Sequence, residues 1–310
     1  AIQAAVDGVY DYDTIVVRNG TYTESVTVDK VLTIRSEHGP EGAILNAPDT
    51  TAKALLITAN DVTISGLTIT GSSESYSGLA VLVKDVEGVT FSGNIIRDNW
   101  NGLFFDGCSG CTVRDNAFSG NAFAVRCERT SDCTIAGNEG ADNNHGAYIQ
   151  NGCTCITVGG NTFSDGDTGV SIGSKCTDNV VTENTLYNFS TTGIRVEGAG
   201  NLFTNNTIED VSLYGFYLSN AGDNLLTGNV IDATSRAVGL IGSSSNNVFT
   251  ENVFSNPTYR AIYMSRSLTN VNVFYLNDFV NVPTPTSDEG KHIWLSPDPI
   301  TYTYEGNTYT

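Results

Sequence analysis

Six polar residues stand out by type and spacing: Arg126, Glu128, His145, Tyr148, Arg195 and Glu197. An arginine precedes a glutamate by two places in Arg126-Cys127-Glu128 and again in Arg195-Val196-Glu197. Residues two apart on a strand share a face. A base of the His or Tyr type, a fixed cation and a carboxylate on one face are the parts of acid–base catalysis. The same residues have a plainer reading, in which exposed Arg–Glu pairs are solvated and add little.

Two further groups carry chemistry. Seven cysteines lie between 108 and 176: Cys108, Cys111, Cys127, Cys133, Cys153, Cys155 and Cys176. Asp165 and Asp167, in Ser-Asp-Gly-Asp-Thr-Gly, are weak calcium candidates. Two loop acids fall short of the six or more oxygens that calcium takes, so no firm metal or other cofactor is expected.

What must position these groups is a repeat. Asparagine recurs at Asn94, Asn116, Asn138, Asn161, Asn184, Asn206, Asn229, Asn252 and Asn277, with gaps of 22 to 25. A fixed period decides the architecture before any local reading does. Apolar residues lie three before and, in nearly every unit, two after each Asn. A third segment follows about eight residues later: GLFFD, AVRCE, GAYIQ, GVSIG, GIRVE, GFYLS, AVGLI, AIYMS. Each unit reads as two or three short alternating strands bounded by Asn, Gly and Ser.

No unit of this size buries its apolar face alone. Stacked units do, with strands pairing in parallel about 4.8 Å apart. Asn amides in one column then hydrogen-bond up the stack. The chain is therefore expected to be all-β: a single-stranded, right-handed parallel β-helix of about eleven 22–23-residue coils, a stiff rod roughly 50 Å long.

Register assigns the faces. In each third strand the second and fourth residues point in, as in Leu103/Phe105, Val125/Cys127 and Ala147/Ile149. The third and fifth point out, which files Phe104 with Arg126 and Tyr148, and Asp106 with Glu128. Cys111 and Cys133 both lie five before the ladder Asn, and Cys153 and Cys176 eight before it. Each pair thus stacks on adjacent coils at a spacing inside the Cα range of a disulfide. Disulfides or buried thiols both fit. Cys108, Cys127 and Cys155 stay unassigned, with Cys127 inward and an odd cysteine left for an intermolecular bond. Cys108-x2-Cys111 and Cys153-x-Cys155 lie about 10 Å apart, too far for one tetrahedral ion.

The chain carries 15 Lys and Arg against 34 Asp and Glu, a net charge of −19. That balance disfavours nucleic acid and anionic membrane surfaces as partners, and less strongly a polyuronate. No run of 18 apolar residues exists, so no membrane insertion is expected. Asn19, Asn188 and Asn205 open glycosylation sequons. Scarce lysine, these sequons and the cysteines favour an extracellular, cell-surface location. The chain opens directly in a folding pattern, as a processed product would.

At the start, Ile2, Ala5 and Val6 have helical spacing, and a short helix is expected to close the N-terminal mouth. The segments 14–17, 25–28, 31–34 and 43–46 read as the first coil, with a polar loop later at 71–77. Residues 1–281 form the β-helix. Residues 282–310, with Pro283, Pro285, Pro297 and Pro299, form an irregular segment ending in a hairpin about Glu305-Gly306-Asn307.

AIQAAVDG, DTIVVRNGTYTESVTVDKVLTI, the Asn-x4-Asn units from Asn179 and the closing IWLSPDPITYTYEGNTYT resemble pectin-lyase-like β-helix repeat proteins. The resemblance is closer to archaeal cell-surface β-helix proteins of the S-layer or sheath type, and to the periplasmic copper-binding accessory family of nitrous-oxide reductase. It spans nearly the whole chain, and its motifs specify a fold rather than a function. It implies a structural cell-surface protein that assembles with copies of itself into a layer, sheath or filament. The alternative it implies is a polysaccharide lyase or glycoside hydrolase working on the outward third-strand face. There a lyase would use a base and a cation, and a hydrolase two carboxylates. Paired Asp with a Gly-His-Gly loop is absent, and Asn144-His145-Gly146 is its nearest echo. A third possibility is a sugar- or metal-binding accessory module, with cell-surface polysaccharide as partner.

Overall fold

Three short strands per turn, each turning a corner at a polar or glycine residue, wind the chain into a right-handed parallel β-helix. The computed structural model describes residues 1–265 and 271–282, together with the strand residues 286–287, 302–304 and 307–309. The strands fall into three parallel sheets of twelve strands each, so about eleven turns separate the first strand of a sheet from its last. The first sheet runs from Thr14–Val17 to Val273–Tyr275, the second from Gly20–Thr23 to Asp278–Val280, and the third from Val26–Val28 to Thr286–Ser287. The segments 31–34 and 43–46, read from sequence as closing the first coil, belong to the second as strands Thr33–Ser36 and Ala43–Asn46, because Gly20–Thr23 supplies the second-sheet strand of the first.

The corner between first and second sheets shows why the repeat needs asparagine. One residue takes the left-handed conformation, as Asp115 (φ 55°) and Asn205 (φ 54°) do, and the ladder Asn follows it inward. Asn161 is fully buried, and its side chain closes on three partners. Its Oδ1 accepts the Asn138 backbone N–H at 3.0 Å and the Asn138 Nδ2 at 2.9 Å. Its Nδ2 donates to the Ile135 carbonyl at 2.9 Å and to Asn184 Oδ1 at 2.9 Å. The same pattern links Asn94 through to Asn277.

Two more ladders run beside it. Asn99, Asn121 and Asn143 form one. Asn179, Asn201, Asn224, Asn247 and Asn272 form the other. Between the sheets lies a continuous apolar core with buried Phe91, Phe105, Phe118, Phe163, Phe203, Phe216, Phe249 and Phe254. The helix Ile2–Gly8 packs Ile2 and Val6 onto the first coil. Glu24 accepts from the first two helical N–H groups, at 2.6 and 3.1 Å. At the other end Thr286–Ser287 pairs with Ile262 and Tyr263, and Tyr302–Tyr304 pairs antiparallel with Asn307–Tyr309. The stretch 288–301, expected to be irregular, lies outside the described residues.

The cysteines do not pair. All seven are free thiols, and all but Cys155 are buried. Cys111 and Cys133 do stack, but the Cys133 sulfur accepts the Cys111 backbone N–H at 3.1 Å, the role an Asn oxygen plays in the same column from Asn179 on. Cys153 and Cys176 also meet as thiols. In-register neighbours project their Cβ bonds in parallel, whereas a disulfide needs them to converge. Cys127 lies buried between Phe105 and Ile149. The expected Cys111–Cys133 and Cys153–Cys176 bonds are thus contacts between thiols, and Cys108 likewise donates to the Val83 carbonyl at 3.3 Å.

Candidate active site

The third sheet departs from simple alternation in a way that creates a site. Gly146 and Ala147 are both buried, so His145 and Tyr148, three apart, emerge on the same face. The inward turn requires a small residue. A methyl group on Gly146 would sit 2.6 Å from the Phe163 ring and 2.6 Å from the Gly169 carbonyl oxygen. Gly or Ala holds this place in every coil from Gly102 to Ala261, a signal present in the sequence pentads.

The outcome is two outward files. One runs Phe123, His145, Thr168, Thr192, Tyr214, Arg236, Arg260. The other runs Phe104, Arg126, Tyr148, Ser171, Arg195, Tyr217, Gly239, Tyr263. Small Ser171 and Gly173 occupy one coil, with Tyr148 and Gln150 on the coil before and Arg195 and Glu197 on the coil after. The dip between these walls is a cleft of about 280 Å³, lined by His145, Tyr148, Asp167, Ser171, Arg195 and Glu197 among others.

His145 stacks on Phe123, with ring centroids 5.0 Å apart and planes 4° from parallel, and tilts against Tyr148 at 5.1 Å. Its Nδ1 is buried and has no hydrogen-bond partner among the described residues. Burial holds the imidazole below its ordinary pKa; Asp167 opposes this and Arg195 adds to it. The ring is therefore neutral at pH 7 and able to take a proton. Arg195 donates from Nε to Glu197 Oε1 at 3.0 Å, and its guanidinium lies 5.8 Å from the Tyr217 ring centre.

Four of the six expected residues meet in the cleft: His145, Tyr148, Arg195 and Glu197. Arg126 and Glu128 do not line it. Arg126 donates from Nε to Glu128 at 2.9 Å and lies over the Phe104 ring at 4.8 Å. Glu128 also accepts from Gln150 at 2.6 Å and Asn151 at 2.8 Å. Burial raises its pKa, but the Asn151, Arg126 and Gln150 hydrogen bonds outweigh burial and hold it low. Asp167, offered from sequence only to calcium, is a cleft residue, whereas Asp165 bonds Ser164 and Asn188 at a corner. Asn19, Asn188 and Asn205 are all exposed.

A family model described as periplasmic copper-binding protein (NosD) matches residues 6–191 and 124–310. The chain belongs to the NosD family. No curated protein matches it. Among solved structures it is similar to the A-module of the Azotobacter vinelandii mannuronan C-5 epimerase AlgE4, at 15% identity and a TM-score of 0.83, over 95% of this chain and 94% of that one. The periplasmic alginate epimerase AlgG aligns at 14% identity and TM-score 0.66, over 86% and 70% of the two chains. An exopolygalacturonase from Thermotoga maritima aligns at 9% and 0.69, over 86% and 84%. At these identities the likeness is one of fold. Copper, named in the description of the NosD family, finds no fit here: among the described residues no three His, Cys, Asp or Glu side chains converge on a metal position. The thiols, the donors that copper(I) would favour, bond backbone groups and touch one another without three of them facing one metal position among the described residues.

Proposed function

We propose that this NosD-family chain acts on a polysaccharide laid along the third sheet, with the His145–Arg195 cleft as its reacting site. The observation that carries the reading is the convergence of a neutral, unpartnered imidazole with Tyr148, Arg195 and two carboxylates in one cleft. Base-catalysed proton abstraction fits this set better than hydrolysis. His145 lines the cleft and makes no side-chain hydrogen bond among the described residues, whereas Glu197 is engaged by Arg195. In this reading His145 is the base, Tyr148 the proton donor, and Arg195 the cation facing the charge that develops. The β-helix likeness to two epimerases and a polygalacturonase supports the substrate class. The family description supports a place outside the cytoplasm, in the periplasm or at the cell surface. A panel of acidic and neutral polysaccharides, read by ultraviolet absorbance for unsaturated ends, by reducing-end assay and by NMR for inverted stereocentres, tests it. A polymer altered by the wild type and not by the Arg195→Ala variant is the expected result. Silence across the panel overturns it.

A second reading is self-assembly into a layer, sheath or filament. Tyr10 and Tyr12 are 82% and 85% exposed near the N-terminal helix, and Val271 and Leu276 are 63% and 61% exposed near the other end of the rod. Apolar side chains at both ends favour end-to-end stacking. Electron microscopy of concentrated protein would show ordered polymers, and monomers at every concentration would remove this reading.

A further inference from the structure

Beyond the cleft the two outward files end in an aromatic cluster holding two arginines. Tyr214 and Tyr217 lie 5.0 Å apart between ring centres. The Arg236 guanidinium sits 5.2 Å from the Tyr214 ring, 4.9 Å from Tyr259 and 5.4 Å from Tyr263. Arg260 lies 4.5 Å from Tyr259. Gly239 makes the arrangement possible, since a Cβ there would come within 2.5 Å of the Tyr214 ring.

These arginines differ from the others on the sheet. Arg126 is closed by Glu128 and Arg195 by Glu197. At Arg236 and Arg260 no carboxylate and no hydrogen-bond acceptor is found among the described residues, and Arg236 Nε is buried without a partner. Ring faces attract the cation but take none of its five N–H donors. The positions beside them are Ser219, Gly239 and Ile241, so among the described residues no acid faces the pair from its own sheet. A guanidinium left with unfilled donors is a built receptor for a planar carboxylate.

We propose that the Tyr214–Tyr263 cluster is a second glycan subsite that binds the acidic sugars of the polymer, each pyranose ring stacked on tyrosine and its carboxylate held by Arg236 and Arg260. The identity of the polymer rests on the reading of the cleft; the subsite rests on its own arginines. Both lie on one line. His145 and Arg260 are five coils apart in the same file, roughly 24 Å at about 4.8 Å per coil. Tyr217 pairs directly with Arg195, so the surface is continuous from cleft to cluster. The net charge of −19 does not oppose this. The Debye length at physiological salt is about 8 Å, so distant acids are screened while the local arginines are not.

The test compares uronate oligosaccharides with the same oligosaccharides after carboxyl reduction, by titration calorimetry. Wild type should bind the acidic form at least about ten-fold tighter, with the margin shrinking in high salt. The paired substitution Arg236→Gln and Arg260→Gln should erase that preference. Arg236→Lys, which keeps the charge and loses the fork, should fall between. Thermal unfolding of each variant confirms that it is folded. His145→Ala should keep the preference while losing turnover. Equal affinity of wild type for both forms, or a preference intact in the double variant, overturns the subsite. A failed cleft shows instead as turnover that His145→Ala leaves untouched, or as no turnover on any polymer.

Discussion

Arg126 and Arg236 lie on the same face of the same sheet, five coils apart, and end in opposite states. Around Arg126 the charge is met: Glu128 and Asn101 accept from the guanidinium, and Gln150 and Asn151 donate to the same carboxylate. Around Arg236 there are three rings and, among the described residues, no acceptor. The first arrangement is complete without a ligand, and the second is not. The cleft lies between them, with Arg195 paired and His145 Nδ1 unpaired among the described residues. The face therefore grades along the rod from a closed cluster to one whose donors are open among the described residues, and function is to be sought where partners are missing rather than where charges gather.

The largest expected effect sharpens this contrast at the cleft. His145→Ala should lower turnover about 10²–10⁴-fold, the usual contribution of a positioned base. The acid limb of the wild-type rate profile should fall below the ordinary histidine value of 6.5, because burial lowers the pKa. The sign for stability follows. Below 6.5 the unfolded chain binds a proton that the folded imidazole resists, so stability is full above 6.5 and declines as pH falls through the folded pKa. His145→Gln should remove that slope, as chemical denaturation at several pH values would show. Next in size is Glu128→Ala. It strands the Arg126 charge and the Gln150 and Asn151 amides, and should cost about 3 kcal/mol in urea denaturation. A cost near zero would mean that the closed region is no more than a solvated pair. Smaller again is a labelling experiment. Cys155 alone is exposed, so native protein should take one equivalent of alkylating reagent and unfolded protein seven.

The fold was legible because its cause repeats. Asn116, Asn138 and Asn161 recur at gaps of 22 and 23, and a buried amide that must hand its hydrogen bonds to the next coil tolerates no other spacing. The outward file of Arg126, Tyr148 and Arg195 followed from alternation. The neighbouring file did not. His145 was singled out by residue type, but its place beside Tyr148 depends on two successive buried residues, a break in the period-two rule that the Gly-or-Ala column marks. Without that column Tyr214, Arg236 and Arg260 could not be aligned, and the aromatic cluster stayed hidden. From sequence Asp167 reads as a metal ligand, because its loop carries no sign of the sheet it adjoins. The cysteines misled for a different reason. Spacing reports which Cα atoms stack, and sulfur direction is decided by which backbone N–H lies nearest, as at Cys111 and Cys133.

The smallest expected effect is the most discriminating. Arg236→Gln removes a cation from three tyrosine faces, and exposed cation–π contacts are worth about 0.5–1 kcal/mol each. Against that loss stands a gain. The variant no longer holds a guanidinium Nε away from water without an acceptor, a defect that costs about 1–3 kcal/mol. The two nearly cancel, so the unfolding free energy should move by less than about 1 kcal/mol, in either direction. Glu128→Ala and Arg236→Gln, measured side by side, then separate a residue kept for the fold from one kept for a ligand. If Arg236→Gln costs as much as Glu128→Ala, the tyrosine cluster is a structural clamp and the open end of the face is closed after all.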